Sequence, residues 1–227
     1  MEFRRWEELP AFMQTSQVYP YYCALAAKRG QLFWKRWLDF VLSTILLAGL
    51  SPIMAGIALW IKLDSPGPVF FRQERVTQYG RVFRIYKFRT MSADAQKRGG
   101  QLTLQNDSRI TKVGTKLRGC RLDELPQLIN IWKGEMSFVG TRPEVVKYVK
   151  GYTPEMYATL LLPAGVTSEA SICFKDEERF FQPGEEVDKV YLQRVLPMKM
   201  AYNLKALRHF SLLGECLTMV RTFLAVL

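Results

Sequence analysis

The chain is poor in the residues on which many active sites depend. It has one histidine, His209, among 227 residues. Chemistry that needs histidine metal ligands or a histidine general base is therefore nearly excluded, and His209, in an amphipathic stretch, reads as structural. The four cysteines, Cys23, Cys120, Cys173 and Cys216, are scattered without CxxC spacing. They indicate neither a zinc site nor a disulfide framework, and they fit a reducing compartment. Acidic residues are outnumbered, 21 Asp and Glu against 32 Lys and Arg, for a net charge of +11. Such a balance suits an anionic partner such as a nucleic acid, an acidic membrane surface or a phosphorylated substrate. No internal repeat and no low-complexity tract is present.

Charge is also missing locally. From Phe40 to Ile61 the chain reads FVLSTILLAGLSPIMAGIALWI. A helix needs about 20 apolar residues to cross the ~30 Å hydrocarbon core, so the run is long enough to span a membrane. Ser51-Pro52 lies in its middle. Proline removes a backbone donor and clashes with the preceding turn, so a bend at mid-depth is expected. Lys28, Arg29, Lys35 and Arg36 precede the run, and Lys62, Arg72, Arg75, Arg81, Arg84, Lys87 and Arg89 follow it. Basic residues favour the cytoplasmic side, and both flanks carry them. A re-entrant helix that bends and returns to the same face satisfies both observations, with Ser51 covering backbone groups at the bend. A Pro-kinked span is the alternative. A cleaved signal peptide is disfavoured because the run starts late and no A-x-A-like site follows.

After SPGP at Ser65–Pro68, two β-branched and aromatic runs, Val69–Val76 and Arg81–Phe88, flank TQYG and predict a β-hairpin with a positive face. Residues 92–109 are polar with Gly99-Gly100, as in a mobile loop. A helix is expected over Lys112–Arg118 and another after Pro126, with Gly134 and Gly140 at turns. PEVVKYVKGY and PEMYATLLLP read as helical. Residues 175–188 are acidic and polar, without a clear helix signal. Val187–Leu227 reads as amphipathic helices suited to packing or to a membrane interface. Residues 1–34 form an aromatic interfacial lead-in, 35–64 the membrane helix, and 65–227 one catalytic-sized domain. The fold class is α+β and mostly helical.

Three segments could carry chemistry. Asp123-Glu124 precedes a helix, where Asp123 alone could be a simple cap. Arg118 and Arg121 beside it, and the hairpin cations Arg72, Lys87 and Arg89, make a setting for phosphate and a divalent ion instead. An ionised aspartate can attack phosphorus without a general base, provided cations neutralise the phosphoryl oxygens. GEMSFVGTRPE (Gly134–Glu144) offers close backbone approach and the planar fork of Arg142, although taken alone it reads as a loop with one exposed Arg. YKFRTM places Lys87 and Arg89 next to aromatics, which could equally be a solvated edge strand.

SPGPVFFRQERV, FRIYKFRTM, RLDELPQLINIWKGEMSFVGTRPE and LPAGVTSEASI, in this order behind a kinked helix, resemble the bacterial sugar transferases. The resemblance is to their small, monotopic polyprenyl-phosphate phosphoglycosyl transferases, and it covers about Lys35 to Leu227. It implies transfer of a phosphosugar from a UDP-sugar to undecaprenyl phosphate at the cytoplasmic membrane, with release of UMP. It further implies Asp123 as nucleophile, Glu124 as a ligand of Mg²⁺, Arg118 and Arg142 near substrate phosphates, and Ser51-Pro52 as the helix-breaking pair. Membrane lipids are implied partners and nucleic acid is not. The sugar, the pathway and the oligomeric state, a homodimer included, stay open. Three departures stand out: GTRP replaces the usual GPRP, the W-A-Q and N-G-R pattern after LPAGVTS is missing, and the N-terminal lead is long. A transferase releasing UDP or diphosphate, and a non-catalytic basic membrane scaffold, are the competing readings.

Overall fold

The computed structural model describes residues 3–92, 94–95, 107–175, 180–181 and 186–226. Most of the polar stretch expected as a mobile loop, and part of the acidic stretch 175–188, lie outside them. The architecture is α+β and mostly helical, as the sequence indicates. Helix α1 is Tyr19–Ala26 and α2 is Arg29–Asp64. Strands β1 (Phe70–Val76) and β2 (Val82–Phe88) follow, then α3 (Lys112–Gly119), α4 (Gln127–Lys133) and β3 (Met136–Val139). Next come α5 (Val146–Val149), β4 (Ala164–Thr167) and α6 (Glu169–Cys173). The chain closes with α7 (Val187–Val190), a π-helical turn at Tyr191–Val195, α8 (Leu196–Arg208) and α9 (Leu212–Val226).

Helix α2 starts at Arg29, ahead of the expected boundary at Lys35, and runs without interruption through Pro52. Pro52 cannot donate to the carbonyl of Ala48, four residues back. The hydroxyl of Ser51 donates to that same carbonyl at 2.8 Å, so the acceptor orphaned by the proline is satisfied within the helix. Of the most apolar 18-residue stretch of α2, 11% is buried, which a core helix would not show; by length and composition it could cross a membrane. Its inner stripe packs along the rest of the molecule. Leu46, Leu47 and Leu50 meet Phe83, Ile85, Leu128, Ile131 and Met136. Met54, Ile57, Ala58 and Ile61 meet Phe88, Val113 and Leu117. Phe33, Trp34, Trp37, Ile45, Ile53, Leu59 and Trp60 point outward.

The expected hairpin forms, antiparallel, with Phe70 opposite Phe88 and Val76 opposite Val82. A second pair, β3 with β4, is parallel, with Met136 opposite Ala164 and Val139 opposite Thr167. No sequence pattern points to it. Beside this pair two glycines interlock: a Cβ on Gly165 near the start of β4 would lie 2.1 Å from the nitrogen of Gly140, just past β3, so the close approach requires a residue without a side chain there. The lead-in expected at the membrane surface lies in the main core. Leu9, Met13, Val18, Tyr21, Tyr22 and Leu25 are buried with Val76, Ala158, Leu160, Leu161, Leu162, Leu207 and Phe210.

Candidate active site

The Asp-Glu pair sits in a short 3-10 turn, Leu122–Glu124, that leads through Pro126 into α4. Arg121 just before it is left-handed, with φ of 55°. That conformation is uncommon for a side-chain-bearing residue outside Asn, Asp and Gly, and strain of this kind concentrates at functional sites. It reverses the chain after α3 and turns Asp123 inward, leaving it 9% exposed. Helix α3 is held against the end of the hairpin. Thr111 caps it by accepting from the Gly114 N–H at 2.9 Å. Gly114 itself lies so close to the Thr90 carbonyl that a Cβ would fall 2.0 Å away. This contact lets Arg118 Nε donate to Thr90 Oγ1 at 2.9 Å.

Glu124 is clamped between two cations. Lys87 Nζ lies 2.7 Å and Arg142 Nη2 2.5 Å from Glu124 Oε1, with Arg142 Nη1 3.4 Å from Oε2. Burial disfavours the charged carboxylate, but Arg142 and Lys87 outweigh it and hold Glu124 well below its ordinary value near 4.5. Asp123 behaves oppositely. Burial raises it above its ordinary 3.8 and the Glu124 charge adds to the rise, while Lys87, Arg118 and Arg121 resist. Lys87 is pushed down by burial and drawn back up by Glu124. Two adjacent carboxylates thus differ in function-relevant ways: one is locked as an anion, the other is desolvated and more basic.

Two polar residues that carry no chemistry themselves place the clamp. Asn130, fully buried on α4, accepts from the Tyr86 N–H at 2.9 Å and donates to the Arg84 carbonyl at 3.0 Å, which fixes β2 and with it Lys87. Glu144, two residues after Arg142, accepts from the Tyr191 hydroxyl at 2.5 Å, while Lys199 Nζ donates to that hydroxyl at 3.2 Å. Arg75 Nη1 donates to the Pro143 carbonyl and the Val76 N–H to that of Glu144. The loop carrying Arg142 is therefore fastened from β1, the π-helical turn and α8. No local signal marks these partners, because Asn130 is 44 residues from Tyr86 and Tyr191 is 47 from Glu144.

The structure thus gathers Asp123, Glu124, Lys87, Arg142 and Arg118. Arg89 and Arg72 are placed elsewhere. Arg89, 5% exposed, donates to the carbonyls of Ser65 and Pro66 and to Ser65 Oγ, closing the turn after α2. Arg72 stacks over the Tyr86 ring at 4.4 Å, on the hairpin face opposite Lys87 because neighbours in a strand alternate. Ser51 and Pro52 stay within α2. Among the described residues no group of three or more His, Cys, Asp or Glu could hold a metal without help.

Residues 30–227 match the sequence profile of the bacterial sugar transferases. The chain belongs to that family. A UDP-N-acetylgalactosamine-undecaprenyl-phosphate N-acetylgalactosaminephosphotransferase of Aeromonas hydrophila is 42% identical over 144 residues, 62% of this chain and 34% of the relative. A UDP-glucose:undecaprenyl-phosphate glucose-1-phosphate transferase of Escherichia coli K12 is 43% identical over 141 residues, 61% of this chain and 30% of the relative. A putative undecaprenyl-phosphate N-acetylgalactosaminyl 1-phosphate transferase of Bacillus subtilis is 40% identical over 122 residues, 54% of this chain and 68% of the relative. The chain spans about a third of the length of the first two. The buried N-terminal lead precedes the family match.

Proposed function

We propose that this protein is a phosphoglycosyl transferase that moves a phosphosugar from a UDP-sugar to undecaprenyl phosphate. The observation that carries the reading is the contrast within the carboxylate pair: Glu124 held by Lys87 and Arg142, Asp123 buried beside it with its basicity raised. In the proposed first step an Asp123 carboxylate oxygen attacks the phosphorus that bears the sugar. The bond from that phosphorus to the bridging oxygen breaks, UMP leaves with the bridging oxygen, and the sugar phosphate remains on Asp123 as an acyl phosphate. In the second step an oxygen of the prenyl phosphate attacks the same phosphorus. Polyprenyl-diphosphate sugar departs and the Asp123 carboxylate is restored. Raised basicity favours the nucleophile, and Arg142, Arg118 and Lys87 supply fixed positive charge for the phosphoryl oxygens.

Mg²⁺ is part of this proposal. Asp123 and Glu124 are too few to hold an ion alone, which suits Mg²⁺, since it commonly takes one or two carboxylates and fills its shell with substrate phosphates and water. Glu124 Oε2 is the less engaged oxygen of the pair and the fitting ligand. When bound, the ion would neutralise charge on the phosphoryl oxygens.

A monotopic attachment to the cytoplasmic membrane face is proposed with it. Contacts with one and the same unit run from Lys35 to Ile61 along α2, about 39 Å at ~1.5 Å rise per residue. A perpendicular span would carry one end away from that unit. Both ends on one side agree with the basic flanks.

The test is product analysis. Protein in nanodiscs is incubated with Mg²⁺, undecaprenyl phosphate and a panel of UDP-sugars, beside Asp123→Asn. UMP from the wild type alone, and a phosphosugar adduct on intact wild-type protein given donor only, are expected. UDP as product would refute the reaction class, and turnover without any adduct would refute the two-step route.

A further inference from the structure

A cavity of about 220 Å³ opens beside Glu124, the chain neighbour of Asp123, and is lined at that end by Arg121, Glu124 and Arg142. Away from that end its wall is apolar, with Leu128, Ile131, Phe138, Val166 and Ile172. The volume is below the ~300–1,000 Å³ of pockets that engulf a whole drug-sized ligand, so it fits the head of a longer molecule. We propose that this cavity receives the lipid acceptor: the phosphate at Arg121 and Arg142, the first isoprene units along the apolar wall. The proposal rests on the reaction proposed above and assigns the acceptor's place within it.

Three observations favour a hydrocarbon chain over the nucleoside of the donor. The hydroxyls at the far end are already paired with one another, Thr167 Oγ1 with Thr222 Oγ1 at 2.7 Å and Ser171 Oγ with Ser168 Oγ at 3.1 Å, and Lys175 Nζ donates to the Ala225 carbonyl. They leave little for a base or ribose to bond. Second, Leu128 and Ile131 of the floor belong to the same cluster that seats Leu46, Leu47 and Leu50 of the apolar helix α2. Third, the outer wall is α9, whose opposite face exposes Leu213, Leu217, Val220, Phe223 and Leu224. A chain leaving the cavity therefore meets apolar surface on both sides. At the charged end, Gln127 has both amide atoms buried with no partner among the described residues. A buried amide is costly to leave unpaired, and this one lines the cavity.

The test uses the full chain in nanodiscs with undecaprenyl phosphate and the UDP-sugar that supports turnover. Ile172→Trp and Ala225→Trp each fill the apolar part. The expected result is a KM for undecaprenyl phosphate raised about tenfold, equivalent to about 1.4 kcal/mol, with the KM for UDP-sugar little changed. An unchanged acceptor KM, or a rise confined to the UDP-sugar, overturns the proposal; the latter would make the cavity the donor's. A second measurement does not depend on the variants or on turnover. A prenyl phosphate carrying a diazirine in its first isoprene unit is photolysed with unaltered protein, and labelled peptides are mapped. Label on the segments holding Ile172 and Ala225 supports the site, and label confined elsewhere overturns it. Should the wild type transfer no sugar while the label maps here, the function reading fails and the prenyl site stands.

Discussion

Asp123 and Glu124 are neighbours in the chain with opposite electrostatic fates, and the difference comes from what each one faces. Glu124 meets two cations within 2.7 Å; Asp123 has burial without a comparable clamp. If Asp123 must be ionised to react, kcat/KM falls as pH drops through its folded value, which lies above the ordinary 3.8 because burial and the Glu124 charge raise it. Lys87 lowers that value, so Lys87→Met should move the acid limb to still higher pH, in addition to reducing activity. A pH–rate profile checks this, and a limb that moves down would remove Asp123 as the titrating group. The Tyr191 hydroxyl supports the loop of Arg142 from a distance. Tyr191→Phe leaves Glu144 with one fewer donor and should cost about 2 kcal/mol of stability, as for hydrogen bonds to charged groups. It should also lower kcat; a melting temperature and kcat both equal to wild type would show that the loop stands without it.

Helix α2 shows how an element can be both apolar and anchored. Its outward face is continuous hydrocarbon and aromatic surface, yet Lys35 and Asp39 are buried. Lys35 Nζ donates to Ser137 Oγ at 2.6 Å, to the Val139 carbonyl at 2.9 Å and to Glu215 Oε2 at 2.6 Å, and Asp39 Oδ1 accepts from Ser137 Oγ and the Phe138 N–H at 3.1 Å each. These bonds join α2 to β3, which leads into the Arg142 loop, and to α9. Burial raises Glu215, and Lys35 opposes the rise. Lys35→Met would strand that carboxylate, and removing one partner of a buried pair typically costs about 3–5 kcal/mol. Thermal unfolding in detergent should show the loss, and Lys35→Met with Glu215→Leu should recover part of it. At the proline, Ser51→Ala leaves the Ala48 carbonyl without its donor. It should destabilise the helix by about 1 kcal/mol, detectable as faster amide exchange near residue 48.

For the whole molecule, exposed apolar faces on α2 and α9, with Trp132 at 45% exposed, accompany a net charge of +11. Binding to vesicles should be stronger on anionic than on neutral lipid and should weaken with salt without vanishing, because charge is screened while hydrocarbon insertion is not. Cosedimentation measures both. Equal binding to the two lipid types would show that the charge plays no part. Residues 3–26 belong to the folded unit: Tyr21 donates to Glu155 at 2.5 Å and Phe12 packs over Gly80 in the hairpin turn.

Features with a local or periodic cause are legible in the order of residues alone. The charge-free run with Ser51-Pro52, the hairpin, the α3 and α4 helices and the adjacency of Asp123 and Glu124 follow from composition, strand alternation and the φ of proline. Residues whose partners are far along the chain are not legible in this way. Lys35 and Asp39 look like flanking charges until Ser137 and Glu215 are brought to them. Arg89 and Lys87 are two residues apart on one edge, and only packing sends one to the Ser65–Pro66 turn and the other to Glu124. Strands β3 and β4 are four residues each, too short for periodicity to declare, and the chain just past β3 meets β4 backbone to backbone at Gly140 and Gly165. The sequence determined which groups were present and which elements carried them. The tertiary structure decided which carboxylate is clamped and which is left basic, because burial and the distance to a cation are properties of packing and not of order along the chain.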